Sequence, residues 1–329
     1  MKDGRKKKPN SSSREDFLKK LYLIAYEYYV NGKTQQEIAE QLGTHRVLIS
    51  KYLKQARELG LVEVRLKDPL FEDTTYKKLF LKHFNLKDII VVSFPFYKEE
   101  KDYHVGASLV GRILDGMLTN GMIVGIGWGS TLEIISKHLH PTKKLSETVF
   151  LPLMGGTNQL PHYFRANDFV RNFAESYNAK PKYIFAPFYI ENPSQKELLL
   201  SSGDLRETIE FWKKLDLAIV GIGCYIQKSP LFQNKIFDEK YLRSLLENNV
   251  VGDVLTYFFN ENGEVVNLAV YKNLVNIPLE DFLKIPTRVG IAGGLQKVQS
   301  IVGALRGGLV NVLITDDKTA EMILRYLGT

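Results

Sequence analysis

Glycine-bearing turns that follow apolar runs are the segments of this sequence with the clearest binding chemistry. In residues 123–131, IVGIGWGST, an apolar run leads into glycines, among them Gly127 and Gly129, and then into two hydroxyl side chains. Glycine allows backbone N–H groups to approach an anion closely, and the N-terminus of a following helix adds partial positive charge. Because Ser130 and Thr131 can donate hydrogen bonds to the same anion, this segment predicts a phosphate-binding turn.

Three further junctions repeat the pattern of an apolar run followed by glycine. Their residues are Gly155 and Gly156 in the first, Gly221 and Gly223 in the second, and Gly293, Gly294 and Lys297 in the third. A cation near the first turn of a helix gains nothing from the helix dipole, so Lys297 is explained if it neutralises a bound phosphate. The GxGxG spacing at 125–129 differs from the dinucleotide fingerprint. A glycine turn that serves only tight packing is the alternative for each junction.

Three polar side chains near these turns are candidates for contact with the rest of a ligand. Asp253 follows an apolar segment, where a carboxylate would accept hydrogen bonds from sugar hydroxyls or would cap a turn. Arg165 and Asn167 lie at a predicted helix start and would reach the ligand or cap that helix. No group of Cys and His has the spacing of metal ligands, so neither a metal nor a cofactor is predicted.

From residue 70 onward, the predicted strands and helices that hold these residues alternate along the chain. Short apolar runs predict strands at 89–92, 123–126, 148–151, 182–185, 217–220, 288–291 and 310–314. Helical patterns at 105–118 and 131–139 lie between them. Short apolar strands separated by amphipathic helices indicate a parallel sheet covered on both faces. Ligands of such sheets bind outside the carboxyl ends of the strands, so we expect the four junctions to open along one edge.

A different chemistry is predicted for residues 34–64, which have the pattern of a helix, a tight turn and a second helix. Thr34 and Glu37 fit a capping box, and Gly43 is suited to end the first helix. Two helices so joined match the helix-turn-helix unit, whose second helix enters the major groove of DNA. The side chains expected to contact DNA are Gln35, Thr44, His45, Arg46, Ser50, Lys51 and Lys54. An ordinary helical hairpin with a solvated basic face is the alternative.

The charge of the chain supports this division into two parts. Residues 1–67 hold 15 Lys and Arg against 8 Asp and Glu, whereas residues 68–329 hold 29 of each. A basic balance confined to one segment is typical of binding to a phosphate backbone. The predicted domains are a disordered basic leader at 1–13, a helix-turn-helix domain at 14–67, and an effector-binding and oligomerisation domain at 68–329. The first domain is expected to be all-α, with a helix at 15–30 and a wing strand at 61–66.

The composition of the chain indicates the cellular compartment in which the protein is expected to work. Cys224 is the single cysteine, so no internal disulfide can form and a reducing cytoplasm is expected. The sequence contains no run of about 18 apolar residues, so no membrane span is predicted. We therefore expect a cytoplasmic protein without a membrane partner.

Several motifs in order resemble those of the SorC-type sugar-binding transcriptional regulators, a SorC/DeoR-like family. These motifs are TQQEIAEQLGTHRVLISKYLKQARELGLVEV, VGIGWGSTL, IAGGLQKVQSIVGAL and GGLVNVLITDDKTAEMIL. The resemblance covers nearly the whole chain. It implies a helix-turn-helix domain followed by a Rossmann-like parallel-sheet domain of the ribose-phosphate isomerase and glucosamine-phosphate deaminase type.

The resemblance also implies a phosphorylated sugar as effector. Its phosphate would be held at Gly129, Ser130, Thr131 and Lys297, with Asp253 and Asn167 facing the sugar. Two positions depart from the family pattern. Met154 stands where some relatives carry a lysine that forms a Schiff base, so noncovalent binding is predicted here. Thr44 and His45 replace the commoner apolar-Ser pair, so the operator sequence of relatives is not expected to apply.

The favoured interpretation is a sequence-specific DNA-binding regulator of a bacterial carbohydrate-utilisation operon, controlled by a phosphorylated sugar, and not an enzyme. Its expected partners are operator DNA, the sugar phosphate and further copies of the chain. A single recognition helix covers few base pairs, which favours a dimer or tetramer. The alternative is a sugar-phosphate isomerase or deaminase with an appended DNA-binding domain. Its general base would come from Asp253, Asp316 or Asp317, none of which has a recognisable His partner.

Overall fold

The structure is a computed structural model that describes residues 11–62, 74–93, 100–157, 161, 164–224, 231, 237 and 239–329. The chain divides into two compact units, Met1–Lys67 and Asp68–Thr329. Each unit contains its own cluster of buried apolar side chains. Most of the predicted wing strand at 61–66 lies outside the described residues, as do residues 1–10 of the predicted leader.

The first unit is built from three helices, α1 (Ser11–Tyr29), α2 (Gln35–Gln41) and α3 (Arg46–Glu58). Their core side chains are Leu21, Ile24, Ala25, Ile38, Ala39, Ile49, Leu53 and Ala56. The helix α1 begins earlier than predicted and includes residues 11–13, which the sequence pattern assigned to the leader. Serine is a moderate helix former, so nothing in these residues ends a helix that is anchored by packing further along.

Local signals explain the boundaries of α2. The Thr34 hydroxyl oxygen accepts a hydrogen bond from the Glu37 N–H at 3.3 Å, and the Glu37 carboxylate accepts one from the Thr34 N–H at 2.8 Å. This capping box satisfies two backbone donors at the start of the helix. After α2 the chain turns at Gly43, whose φ of +59° lies in the left-handed region that favours glycine. The predicted helix-turn-helix geometry therefore follows from residues that are close together in sequence.

The second unit contains a seven-stranded parallel sheet and a separate two-stranded antiparallel hairpin. The strands are β1 (Asp88–Val92), β2 (Ile123–Ile126), β3 (Val149–Pro152), β4 (Lys180–Pro181), β5 (Leu217–Gly221), β6 (Val250–Val254), β7 (Tyr257–Asn260), β8 (Thr287–Ile291) and β9 (Val312–Asp316). The large sheet has the order β1-β9-β8-β5-β2-β3-β4, and β6 pairs with β7. This arrangement confirms the predicted α/β class with a parallel sheet.

Helices cover the sheet and connect its strands. They are α4 (Thr74–His83), α5 (Glu100–Met117), α6 (Ser130–Lys137), α7 (Ala166–Tyr177), α8 (Pro193–Leu200), α9 (Gly203–Glu210), α10 (Glu239–Glu247), α11 (Leu279–Lys284), α12 (Val298–Arg306) and α13 (Asp317–Tyr326). Short 3-10 helices occupy Phe211–Lys214, Ala269–Asn273 and Leu295–Lys297. From β2 the chain continues to β3, its neighbour on one side in the sheet. From β5 it continues to β8, which lies in the opposite direction across the sheet. The adjacent strands β2 and β5 therefore flank a topological switch point.

Two local features differ from the sequence-based predictions. The strand expected at 182–185 is instead β4 at Lys180–Pro181. Beyond it, the Asn167 side chain makes hydrogen bonds to both the N–H and the C=O of Ile184, at 3.1 and 3.0 Å, where a neighbouring strand would otherwise pair. The hairpin of β6 and β7 was not predicted. Its turn places Leu255 and Thr256 at φ values of +52° and +64°, which residues of these types rarely adopt.

Candidate functional site

The exposed side of α3 and the turn before it form the candidate DNA surface. His45, Arg46, Ser50, Lys51 and Lys54 are exposed there. Gln35 and Thr44 are half-buried at the start of α2 and in the turn. His45 is the N-cap residue of α3, but its side chain makes no capping hydrogen bond. The structure therefore brings all seven predicted side chains to one helix-turn-helix unit, and their contact with DNA stays a prediction.

An apolar side chain on this surface was missed by the sequence reasoning. Val47, in the first turn of α3, is 81% exposed. A β-branched side chain that projects beside Arg46 is suited to contact a thymine methyl group in the major groove. Its signal in the sequence was its position outside the apolar face of the helix, next to residues predicted to contact bases.

In the second unit, the four glycine junctions follow β8, β5, β2 and β3, which are adjacent strands of the parallel sheet. Their carboxyl ends therefore share one edge, as expected from the sequence pattern. We call this edge, where the sequence predicts that an effector binds, the effector edge. It includes the switch point between β2 and β5, which is where ligands bind in open α/β sheets.

The turn after β2 leads directly into α6. Gly129 is the N-cap of α6 with a φ of +126°, and no side chain of that residue competes for the N–H groups of the first turn. Ser130 is exposed and Thr131 half-buried in that turn. Gly127 has a different role, because its N–H donates to Ile219 O at 2.9 Å and joins the turn to β5. The arrangement suits an anion at the N-terminus of α6.

The hairpin of β6 and β7 meets the effector edge at the end of β5. The Gly223 N–H donates to Asp253 O at 2.8 Å, and the Asp253 N–H donates to Gly223 O at 3.4 Å. A Cβ atom on Gly223 would lie 2.0 Å from Asp253 Oδ1. Only glycine therefore allows the Asp253 carboxylate to lie against the end of β5.

Lys297 reaches the same place from the junction after β8. Its Nζ donates a hydrogen bond to Ile222 O at 2.9 Å. Burial raises the pKa of Asp253 to about 6, opposed by the Thr256 N–H that donates to the carboxylate and by the charge of Lys297. Burial also lowers the pKa of Lys297, opposed by Cys224 and Asp253. A cation, a carboxylate and a thiol thus share one partly desolvated corner of the effector edge.

The junctions after β3 and β8 contain glycines with structural roles. Gly155 packs so closely that a Cβ atom would lie 2.7 Å from Ala186 O, and its N–H donates to Val275 O at 2.7 Å. Gly294 has a φ of +112°, and its N–H donates to Thr319 Oγ1 at 2.7 Å. Gly293 precedes it and is buried, Gly156 is half-buried, and Gly221 ends β5. The backbone N–H groups of Gly155 and Gly294 therefore already have hydrogen-bond partners within the protein. These two glycines fit the alternative in which a glycine turn serves only tight packing.

A cleft of about 960 Å³ opens beside Gly156. Met154 lies in its floor, and Arg165 and Asn167 belong to its wall together with the exposed Phe185. Arg165 is exposed at the N-cap of α7 and makes no side-chain cap hydrogen bond. Asn167 holds the segment around Ile184 through its amide, so the structure assigns it a positioning role for this wall. Contact of either side chain with a ligand stays a prediction.

The carboxylates considered for catalysis have other partners. Both oxygens of the buried Asp316 accept hydrogen bonds from Thr319, from its N–H at 3.0 Å and its hydroxyl at 2.8 Å, and so cap α13. Asp317 Oδ1 accepts a hydrogen bond from the Lys318 N–H at 2.8 Å. Among the described residues, no group of three or more His, Cys, Asp or Glu is arranged to hold a metal ion. Nor does any described helix have the length and apolar character needed to cross a membrane.

A helix-turn-helix unit joined to a parallel α/β unit with an anion-suited edge defines a class of ligand-binding proteins with a DNA-binding unit. Residues 68–325 match the family described as "Putative sugar-binding domain", and the chain belongs to this family. The deoxyribonucleoside regulator of Bacillus subtilis is 28% identical over 300 residues, covering 91% of this chain and 95% of that protein. The transcriptional regulator LsrR of Escherichia coli K12 is 28% identical over 308 residues, covering 92% and 93%.

A solved structure extends the likeness to both units. The full-length sorbitol operon regulator SorC from Klebsiella pneumoniae matches with a TM-score of 0.69 and 26% identity, covering 94% of this chain and 99% of that one. These comparisons confirm the resemblance to SorC-type and DeoR-type regulators. All three relatives are named as regulators, and one of them as the regulator of the sorbitol operon, which favours the regulator over the isomerase or deaminase alternative.

Proposed function

We propose that this protein is a sequence-specific DNA-binding regulator of a carbohydrate-utilisation operon, controlled by the noncovalent binding of a phosphorylated sugar. The observation that carries the proposal is the corner where Lys297 and Asp253 meet at the end of β5, on the same edge as the N-terminus of α6. A phosphate needs a cation and free N–H donors, and a sugar needs hydroxyl partners. The effector edge offers these chemistries on adjacent strands.

The division of roles within the site follows from its chemistry. The N-terminus of α6, with Ser130 and Thr131, receives the phosphate, and Lys297 neutralises part of its charge. Asp253 accepts hydrogen bonds from sugar hydroxyls, and the cleft beside Gly156, with Arg165 in its wall, receives the remainder of the ligand. Met154 is buried and has no amine, so no Schiff base forms at that position.

Effector and DNA are linked thermodynamically in this proposal. If the sugar phosphate changes the affinity for DNA, DNA changes the affinity for the sugar phosphate by the same factor. We propose that the protein works in the cytoplasm as a dimer or tetramer on a two-fold operator, with α3 of each copy in the major groove. The DNA contacts are those of Gln35, Thr44, His45, Arg46, Ser50, Lys51 and Lys54.

The proposal is tested by two measurements on the full chain. The first is a thermal-shift screen with phosphorylated sugars and their unphosphorylated counterparts. Only certain phosphorylated sugars should raise the unfolding temperature of the protein, because a ligand that binds the folded state stabilises it. Selection from random-sequence DNA should enrich one two-fold motif. The proposal is wrong if no phosphorylated sugar shifts the transition and no motif is enriched. A trapped adduct after borohydride treatment would contradict noncovalent binding alone.

A further inference from the structure

Two histidine side chains from different helices face each other on the surface of the second unit. His104, in the second turn of α5, has its Nδ1 atom 2.6 Å from Nε2 of His138, the C-cap residue of α6. His104 is exposed and His138 is half-buried. The two positions are 34 residues apart in the chain, so no short spacing motif in the sequence indicates the pair. The packing of α5 against α6 brings the two imidazole rings together.

The contact between the two helices is close at this end because α5 carries a glycine there. Gly111 comes seven residues after His104, and residues at that spacing lie on the same side of a helix. A Cβ atom on Gly111 would lie 3.2 Å from the backbone oxygen of His138. The backbones of α5 and of the end of α6 therefore hold the two histidines at a defined spacing.

A hydrogen bond determines which nitrogen atom of His138 can bind a metal ion. Its Nδ1 atom lies 2.7 Å from Ile134 O, and because a carbonyl oxygen only accepts, this nitrogen carries the hydrogen and donates it. In the neutral imidazole, Nε2 then has its lone pair available, and it is the atom that faces His104. Histidines that bind metal ions commonly donate their second N–H to a backbone carbonyl in this way.

The distance between the two facing nitrogen atoms is close to that of a metal chelate. Two metal–nitrogen bonds of about 2.1 Å that meet at a right angle place their nitrogen atoms about 3.0 Å apart, whereas a tetrahedral angle places them about 3.4 Å apart. The observed distance of 2.6 Å is nearer to the first value. Because His104 is exposed, its ring can withdraw by the small difference. The spacing therefore suits Ni²⁺, which accepts right angles between its ligands, better than tetrahedral Zn²⁺.

The surroundings of the pair also favour a cation. The last carbonyl groups of a helix carry partial negative charge, and His138 lies at the end of α6. The neighbouring ammonium group of Lys137 forms an ion pair with Glu133, which offsets its charge. The exposed position of His104 leaves room for water molecules to complete the coordination of an ion.

We propose that Nδ1 of His104 and Nε2 of His138 chelate a divalent transition-metal ion, with Ni²⁺ preferred over Zn²⁺. The ion takes the place of the hydrogen between the two nitrogen atoms. In the neutral pair this hydrogen moves to Nε2 of His104, and two water molecules leave the metal ion as the two metal–nitrogen bonds form. Metal ions compete with protons for imidazole, so binding should weaken as the pH falls. Mg²⁺ prefers oxygen ligands and should not bind there.

The proposed chelate joins α5 to α6 and should stabilise the second unit, because an ion that binds only the folded state raises its stability. It lies at the opposite end of α6 from Gly129 and Ser130, where the phosphate of the effector is expected. The chelate therefore does not depend on the proposed function, and each can fail without the other.

The site is tested on the full chain, produced without a polyhistidine tag and freed of metal by a chelator. Ni²⁺ should raise the unfolding temperature and should titrate with one tight site per chain in calorimetry, whereas Mg²⁺ should do neither. His104→Ala should weaken Ni²⁺ binding by roughly a hundredfold, because one imidazole replaces a chelate. His140→Ala, which removes another exposed histidine of the same connection, is the matched control and should leave Ni²⁺ binding unchanged.

Equal Ni²⁺ affinity in wild type and His104→Ala, or equal losses in His104→Ala and His140→Ala, would overturn the chelate. His138→Gln is a second variant and should lose as much Ni²⁺ affinity as His104→Ala. The unfolding temperature without metal shows whether each variant is folded.

Nitrogen NMR of the histidines gives an independent measurement. Added Zn²⁺, which is diamagnetic, should shift the signals of His104 Nδ1 and His138 Nε2. Shifts confined to other ring nitrogens would contradict the proposal. A sugar-phosphate screen without a hit would count against the proposed function and leave the chelate intact.

Discussion

The candidate DNA surface and the effector edge are built in opposite ways. The DNA surface takes its side chains from residues 35–54, which form two neighbouring helices and the turn between them. The effector edge collects residues from 127 to 297 at the ends of four strands. The first can be recognised by helical periodicity alone, whereas the second exists only because parallel strands bring distant turns to one edge. Contiguous sites are therefore far easier to predict than composite ones.

The two regions also differ in how strongly substitutions within them should change the stability of the fold. The predicted DNA contacts on α3 are exposed, so replacing them should leave the unfolding temperature nearly unchanged. The effector edge has charges in partly desolvated positions, where Asp253 and Lys297 shift each other's protonation. Substitutions there should change both ligand binding and stability.

Replacing Lys297 by Met should weaken binding of the sugar phosphate at least a hundredfold, about 3 kcal/mol, because a charge-assisted hydrogen bond in a desolvated corner is lost. DNA binding without effector should be retained. Calorimetric titration with the effector measures this. Lys196→Met is the matched control, since Lys196 is also half-buried, has a pKa lowered by burial, and donates to a backbone oxygen at 2.9 Å. Equal losses in both variants would contradict the phosphate assignment.

Replacing Gly223 by Ala should destabilise the second unit by about 2–3 kcal/mol, because the new Cβ overpacks against Asp253. The carboxylate must move, so effector affinity should fall as well. The control is Gly221→Ala, whose Cβ would meet its nearest neighbour, the Trp128 backbone oxygen, at 3.4 Å. Differential scanning calorimetry should show a lower transition for the first variant than for the second. Identical transitions would show that the hairpin does not constrain this corner.

Replacing Arg46 by Ala should cost about 1–3 kcal/mol of DNA affinity if its guanidinium contacts a base edge, and should relax specificity at one position. The unfolding temperature should stay within a degree or two of wild type, because the side chain is exposed. Fluorescence anisotropy with the enriched motif and with single-base variants gives the measurement. Arg57→Ala, in the last turn of α3, serves as the control. Unchanged discrimination between bases would place Arg46 on the phosphate backbone instead.

The pH dependence of stability should contain a contribution from Asp253. Its folded pKa of about 6 lies above the ordinary value of 3.8, so the folded state binds the proton more tightly than the unfolded state does. Stability should therefore fall as pH rises from about 4 to 6 and then level off. Asp253→Asn should raise the free energy of unfolding by about 1–2 kcal/mol at pH 8 and by little at pH 4. Urea unfolding at both pH values checks this, with Asp204→Asn as an exposed control.

Particular elements show where sequence-based prediction succeeded. The capping box of Thr34 and Glu37 needs only two residues three apart, and it forms as expected. The strands β1, β2, β5 and β8 appear close to their predicted positions, because short apolar runs in a covered parallel sheet have no other environment. The hairpin of β6 and β7 was missed because its turn uses Leu255 and Thr256 at positive φ instead of Asn or Gly.

The helix-turn-helix unit, the parallel α/β unit and the four glycine turns can be predicted from sequence, because capping, periodicity and short apolar strands are local properties. Tertiary structure alone decided that these turns follow adjacent strands, that Gly223 admits the Asp253 carboxylate, and that Lys297 reaches the end of β5. The physical reason is that strand order and the close approach of backbones depend on how the whole sheet packs, which no single segment specifies.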